Sequence, residues 1–254
     1  MENNLIIFRK QKLVKVFRDT LEFCKDEKLN KAKTEKISNW EKKIYFPKTE
    51  PIVKVINKDC VEVAYDLSLK GKTCVLNMAN AFNRGGGVER GSMAQEEELC
   101  RRSNLWYSLR PSFYPLGETE FIYSKNIKFL KDKYYDLFLN DNTIDYSIFK
   151  CDVITIAAIN LRNSKIKKSA YESITKNKIQ QMLLYPAQRG CKNLVLSAFG
   201  CGAFMNNPIF MSKTFKSLMK ELPYENITFA ILDDANSKAN GISNFETFKK
   251  TFEV

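Results

Sequence analysis

Histidine is absent from this 254-residue chain. That absence excludes histidine-containing zinc sites and every nucleophile activated by an imidazole, serine and cysteine alike. The seven cysteines (Cys24, Cys60, Cys74, Cys100, Cys151, Cys191 and Cys201) are odd in number, form no C-x-x-C pair and sit mostly inside apolar runs. Neither a zinc ribbon nor a disulfide framework is expected from them. Glycine and proline are sparse, at ten and seven, which argues against a low-complexity or disordered chain. No apolar run approaches the roughly 20 residues of a membrane span, and the opening Met-Glu-Asn-Asn lacks the basic-then-apolar layout of a signal peptide. A reduced intracellular setting without a membrane partner is expected, with cytoplasm and nucleus not distinguished.

What is present begins with apolar content and charge. At 44% hydrophobic residues, the chain can bury a core without staples, as one large domain with an N-terminal extension. The net charge of +12 attracts polyanions, nucleic acid among them, without choosing one, and a lysine-rich solvated surface gives the same number. The basic group at Lys165, Lys167 and Lys168 fits either account.

Residues 1–50 are rich in charge and contain no glycine. Leu13, Val14, Val16, Phe17, Leu21 and Phe23 recur at helical spacing and predict a helix over about 9–27 whose stripe packs on the main domain. From 51 to 254 the texture changes. Short apolar runs at 51–56, 73–77, 151–158, 193–197 and 227–232 read as strands, and 59–69, 93–109, 170–189 and 208–221 as helices. Residues 121–123 and 127–130 read as a hairpin about Ser124–Asn126. Strands alternating with helices imply a three-layer α/β domain with a largely parallel sheet, whose ligands bind at the carboxyl ends of the strands. Two glycine-containing loops fall there.

The first loop runs from Asn80 through Gly85-Gly86-Gly87 to Gln95-Glu96-Glu97. Three glycines after a buried strand permit backbone angles closed to other residues and let main-chain N–H groups approach an anion. Ser92-x-x-Gln95 fits a capping box, so a helix is expected to start at Ser92 and to carry Gln95, Glu96 and Glu97 in its first turn. Acidic residues at that place also complement the helix dipole and commonly form a solvated face. A helical wheel centred on Leu99, Cys100, Ser103, Trp106 and Tyr107 turns Glu96 inward and Glu98 away, and sets Glu97 about 120° from the stripe. Periodicity alone therefore chooses Glu96 as the buried carboxylate and does not select Glu97.

Gly85-Gly-Gly87, seven residues, then Gln95-Glu-Glu97 resembles the GGG-x(6–8)-QEE signature of the poly(ADP-ribose) glycohydrolases. The lead-in 76–83 (LNMANAFN) is similar to that of the bacterial-type branch, and 197–208 (SAFGCGAFMNNP) to its second phosphate loop. Residues 151–160 resemble the strand between the loops, and 229–233 the terminal strand. The resemblance covers about residues 50–235 and, more loosely, the N-terminal helix.

The resemblance implies a three-layer α/β/α macrodomain with a mixed, largely parallel sheet, and roles for particular residues. Glu97 would be the general acid that protonates the departing ribosyl oxygen, Glu96 would hold ribose hydroxyls, and Gln95 would help fix the loop. Gly85, Gly86, Gly87 and Val88 would line pyrophosphate and ribose through backbone groups, with Asn80 near the distal ribose. Gly200, Cys201, Gly202 and Ala203 would cradle the phosphates and Phe204 would pack on the distal ribose, unless Phe204 is core filler. Two positions depart from the family pattern, Arg84 and Ile159, each where proline is common. An arginine at 84 implies a looser loop entry or a phosphate contact.

The implied reaction is hydrolysis of the O-glycosidic ribose–ribose bond by one catalytic acid, with no metal or cofactor. Its expected partners are poly(ADP-ribose) or ADP-ribosylated proteins, with ADP-ribose as product and nucleic acid admitted by the basic surface; a monomer is expected. Three rivals remain: a non-catalytic ADP-ribose reader, a hydrolase of mono-ADP-ribosylated protein or nucleic-acid ends, and a plain nucleic-acid-binding module.

Overall fold

In the computed structural model, residues 2–25, 29, 32–41, 50–137, 149–162, 164–234, 236–238 and 241–253 are described. Seven strands form one sheet: β1 (Lys33–Ile37), β2 (Ile52–Ile56), β3 (Thr73–Met78), β4 (Phe121–Phe129), β5 (Phe149–Ile156), β6 (Asn193–Leu196) and β7 (Asn226–Ala230). Their order is β1-β4-β5-β3-β6-β7-β2. The pairs among β5, β3, β6, β7 and β2 are parallel, and β4 and β1 add antiparallel at one edge. The sheet is thus mixed and largely parallel, with helices on both faces.

Strand alternation divides the core into two layers. Cys74, Leu76, Ile154, Ile156, Leu194, Leu196, Ile227 and Phe229 point to one face. There they meet Ile179, Met182 and Leu183 of a helix at Lys168–Gln188 (α5), Met211 and Phe215 of Pro208–Leu218 (α6), and Phe248 of Asn244–Phe252 (α7). Val75, Val153, Val195 and Ala230 point the other way. They pack on Cys60–Ser68 (α2) and on Leu99 and Cys100 of Gln95–Arg102 (α3), with Phe17 of Glu2–Phe23 (α1) outside them. A strand buried on both faces needs apolar residues at every position, which is why β3, β5 and β6 read as continuous runs.

Three elements depart from the sequence expectation. The hairpin at 121–130 is one continuous strand, β4, with a bulge between Ser124 and Ile127. Asn126 takes a left-handed φ of 54° there and its N–H donates to Asp152 Oδ1 at 2.9 Å, so the polar trio marks a bulge rather than a turn. The helix over 93–109 starts only at Gln95 and breaks at Ser103, which is extended and bridges Phe129 of β4; a short helix, α4 (Leu105–Ser108), follows. The third is β1, a charged edge strand (KTEKI) with no apolar alternation to announce it.

The N-terminal segment is held firmly. Leu13, Phe17 and Thr20 of α1 and Cys24 just after it are buried. Phe17 meets Trp106 edge-on at 5.7 Å, Thr20 Oγ1 donates to the Arg101 carbonyl, and Lys131 Nζ donates to the Val16 carbonyl at 3.1 Å. The predicted end of this helix at 26–27 lies outside the described residues.

Candidate active site

The carboxyl ends of β3, β6 and β7 open into one cavity of about 470 Å³, within the size range of small-molecule sites. Its wall includes Asn80, Gly86, Gly87, Gln95, Glu96 and Glu97 from the first loop and helix, and Gly200, Gly202, Ala203 and Phe204 from the second loop. Ile231, Leu232 and Asp234 close the β7 end.

Glutamates 96 and 97 are both buried, at 3% and 6% exposure. The wheel is corrected here: it orients a helix toward one core face, whereas the glycine loop covers the start of α3 on a second side. A Cβ at Gly86 would lie 2.5 Å from Glu97 Oε1 and 3.1 Å from Glu96 Oε2, and Gly86 sits at φ +59°. Gly87 has no room either, since its Cβ would lie 2.2 Å from Ser92 Oγ. The triplet is glycine because the backbone is left-handed at 85 and 86 and because two carboxylates and a serine press against it.

The two acids differ in their partners. Glu96 Oε2 accepts from the Asn80 N–H at 2.7 Å, and Oε1 from Asn77 Nδ2 at 3.4 Å. Burial nevertheless pushes its pKa up to about 8, against the pull of those hydrogen bonds. Glu97 Oε1 accepts from the Gly87 N–H at 2.8 Å. Its Oε2 is buried and has no hydrogen-bond partner among the described residues. The two oxygens of Glu97 are thus unlike, one fixed and one without a partner.

Gln95 does not cap the helix. Its side-chain Oε1 accepts from the Met78 N–H at 2.9 Å and its Nε2 donates to the Leu76 carbonyl, so it extends the β3 ladder and locks α3 to the strand end. The N-cap position is Ala94, with no side-chain bond, and Arg101 instead holds the Ser92 carbonyl at 2.7 Å. Asn80 turns its Oδ1 onto the N–H groups of Phe82 and Asn83 at 2.8 and 2.9 Å, shaping the loop entry. Arg84 is held against the protein itself. Its guanidinium lies 3.5 Å from the centre of the Trp106 ring and Nη1 donates to the Leu109 carbonyl, which ties the loop entry down rather than loosening it.

In the second loop, Gly200 is left-handed at φ +73°. A Cβ there would strike Asn206 Nδ2 at 2.6 Å and Ala158 at 2.7 Å. Among the described residues, the backbone N–H groups of Gly200, Gly202, Ala203 and Phe204 donate to no carbonyl. Phe204 is half-buried on the cavity wall, so it is not core filler. Cys201 is different: its side chain is fully buried in the core and does not line the cavity. Only its backbone belongs to the loop. Gly85 and Val88 likewise stand behind the wall, outside the lining.

Sequence reasoning missed Asn206, which staples the second loop. Its buried Nδ2 donates to the carbonyls of Ile159 and Gly200 at 2.9 and 3.0 Å, and its Oδ1 accepts from Tyr171 at 2.9 Å. The visible signal was the Asn206-Asn207-Pro208 run, in which Asn207 caps α6 through Ile209 and Phe210. It also missed Asn77, which bridges Glu96 and Thr155.

One mixed sheet covered by helices on both faces, with two loops closing over its strand ends, one gripping a glutamate pair and the other offering main-chain donors, is a three-layer α/β/α macrodomain. Residues 7–132 match the family model of the microbial-type PARG catalytic domain. The chain belongs to this microbial-type poly(ADP-ribose) glycohydrolase family, so its chemistry is hydrolysis of a glycosidic bond. Among solved structures, the Thermomonospora curvata poly(ADP-ribose) glycohydrolase is similar, with TM-score 0.78 and 21% identity over 95% of this chain and 100% of that one. A substituted Deinococcus radiodurans poly(ADP-ribose) glycohydrolase in complex with ADP-ribose is 25% identical over 80% of this chain and 84% of that one, with TM-score 0.68. No curated protein matches.

Proposed function

We propose that this chain releases ADP-ribose from poly(ADP-ribose), with Glu97 as the general acid. The observation that carries the assignment is the unlike pair of oxygens on Glu97, one held by the Gly87 N–H at 2.8 Å and the other buried without a partner on the cavity wall. The proton on Oε2 passes to the departing ribosyl oxygen as the C–O bond breaks and an oxocarbenium-like centre forms. Water then adds to that centre, its hydroxyl to the ribose carbon and its proton to Glu97, which restores the acid.

Glu96 is a brace as much as a ligand, since it ties the end of β3 to the glycine loop. With its pKa at about 8 it is largely protonated at neutral pH, so one buried negative charge fewer opposes a bound diphosphate. The second loop supplies the diphosphate with main-chain donors, and the T. curvata enzyme bound to the inhibitor ADP-HPD and the D. radiodurans enzymes in complex with ADP-ribose support this ligand class. Seven free, buried cysteines support the expectation of a reducing compartment.

The test is release of ADP-ribose from poly(ADP-ribose) by the wild type and by Glu97→Gln. A loss of about a thousandfold is expected from removing a general acid. Equal rates, or no release by the wild type, would overturn the assignment.

A further inference from the structure

The cavity wall beside Glu97 contains an arginine that the hydrolytic mechanism does not use. Arg90 follows the glycine triplet by three residues, and its Nη2 lies 3.6 Å from where a Gly87 Cβ would sit. Gly87 is the residue whose N–H holds Glu97. The guanidinium therefore sits next to the backbone that positions the acid. It lines the cavity, is exposed, and among the described residues has no carboxylate partner.

The backbone of a second cationic residue, Lys10, is fixed against the turn that follows Arg90. Gly91 is left-handed at φ +74°, and a Cβ on it would lie 2.6 Å from the Lys10 carbonyl oxygen and 3.0 Å from Lys10 Cβ. Glycine is required because α1 lies directly on this turn. The contacts of Phe17, Thr20 and Lys131 hold α1 in place, so Lys10 is presented at a set position rather than by a loose terminus. Lys10 is also exposed and without a carboxylate partner among the described residues.

The direction of the cavity decides what these cations face. From Glu97 the wall runs past the second loop to Ile231 and Asp234 at the end of β7. In the glycohydrolase reading, the ADP-ribose unit that is cut off fills that length. On that reading the rest of the substrate hangs from the oxygen that Glu97 protonates and leaves on the side of Glu97, where the lining residues Arg90 and Ser92 lie against the Gly87 turn.

We propose that Arg90 and Lys10 form a subsite for the diphosphate of the next unit of the polymer, on the leaving side of the scissile bond. An arginine offers a planar fork to phosphate oxygens and a lysine a mobile point charge. Two such contacts make binding of a polyanion depend on salt, whereas a single ADP-ribose held in the main cavity does not use them. Arg90 is thus a positioning residue for polymeric substrate. The inference rests on the poly(ADP-ribose) glycohydrolase reading.

Initial rates on poly(ADP-ribose) across a range of salt, together with calorimetry of free ADP-ribose, test it. Arg90→Gln with Lys10→Gln is expected to raise the KM for polymer about tenfold and to flatten its salt dependence, with the Kd for ADP-ribose changed less than twofold. Lys165→Gln with Lys167→Gln removes the same charge beyond the second loop and is expected to move the KM less than twofold. An unchanged polymer KM in the first pair would overturn the subsite while leaving the glycohydrolase intact. Equal effects of both pairs would overturn it in favour of diffuse attraction, and an equal loss of ADP-ribose affinity would assign Arg90 to the main cavity instead. A wild type that releases nothing from polymer would remove the glycohydrolase reading, and the subsite with it.

Discussion

In the loop after β3 the main-chain donors of the glycine turn close inward, whereas in the loop after β6 four of them stay open. Gly86 donates to Asn83, Val88 to Gly85, and Gly87 to the Glu97 carboxylate. Gly200, Gly202, Ala203 and Phe204 have no such carbonyl acceptors among the described residues. Both loops depend on left-handed glycines, at Gly85 and Gly86 in one and Gly200 in the other. The same residue type serves two ends. In the first loop glycine lets the backbone close on a pair of acids, and in the second it lets the backbone stay open around an anion. Glycine content alone does not say which.

Substitutions at matched positions separate the two roles. Gly86→Ala drives a methyl into Glu97 Oε1 from a left-handed backbone. Its kcat is expected to fall about a hundredfold through displacement of the acid, with roughly 1–3 kcal/mol lost from stability; rates and thermal melting together read both. A normal kcat in the Gly86→Ala variant would mean that the loop does not set the acid. Gly200→Ala strikes Asn206 and Ala158. It is expected to weaken ADP-ribose by about thirtyfold in calorimetry, since a charge-assisted backbone contact is worth about 2 kcal/mol. A loss confined to kcat would place the acid machinery in the second loop and erase the contrast.

Asn206→Ala removes the staple without touching the cavity wall. It leaves the Ile159 and Gly200 carbonyls and the Tyr171 hydroxyl without that partner. A loss of about 2 kcal/mol in denaturant unfolding is expected, with ADP-ribose affinity down by less than tenfold. No change in either would show that the loop holds its shape unaided.

The last test concerns pH and sharpens the first loop. Glu96 has a folded pKa of about 8 against the ordinary 4.5. Its contribution to stability is therefore fully present below about pH 4.5 and is lost as pH rises toward 8. The wild type should lose on the order of 1 kcal/mol per pH unit across that window from this group. Glu96→Gln should flatten the slope in thermal melts between pH 5 and 8. An identical slope in both proteins would show that Glu96 is not held neutral by its burial.

Legibility followed burial and local geometry. Runs such as Val75-Leu76 and Val195-Leu196 were read as buried strands because apolar residues on both faces have no other explanation. The charged β1 was not read, because an edge strand gains its hydrogen bonds from β4 and needs no apolar pattern of its own. Ser124–Asn126 carried turn chemistry but served a bulge, since the β-strand partner across the sheet, not the local residues, fixed the register.

The alternation of strands and helices, the two glycine loops at strand ends and the resemblance to the glycohydrolase family were all legible in the chain. Each of these is local or periodic, and a chain writes such features in consecutive residues. The burial of both glutamates, the extension of β3 by Gln95, the stacking of Arg84 on Trp106 and the meeting of Lys10 with Gly91 came from packing instead. Those relations join residues distant in the chain. Their energies come from which surfaces exclude water together, and no spacing within one segment records that.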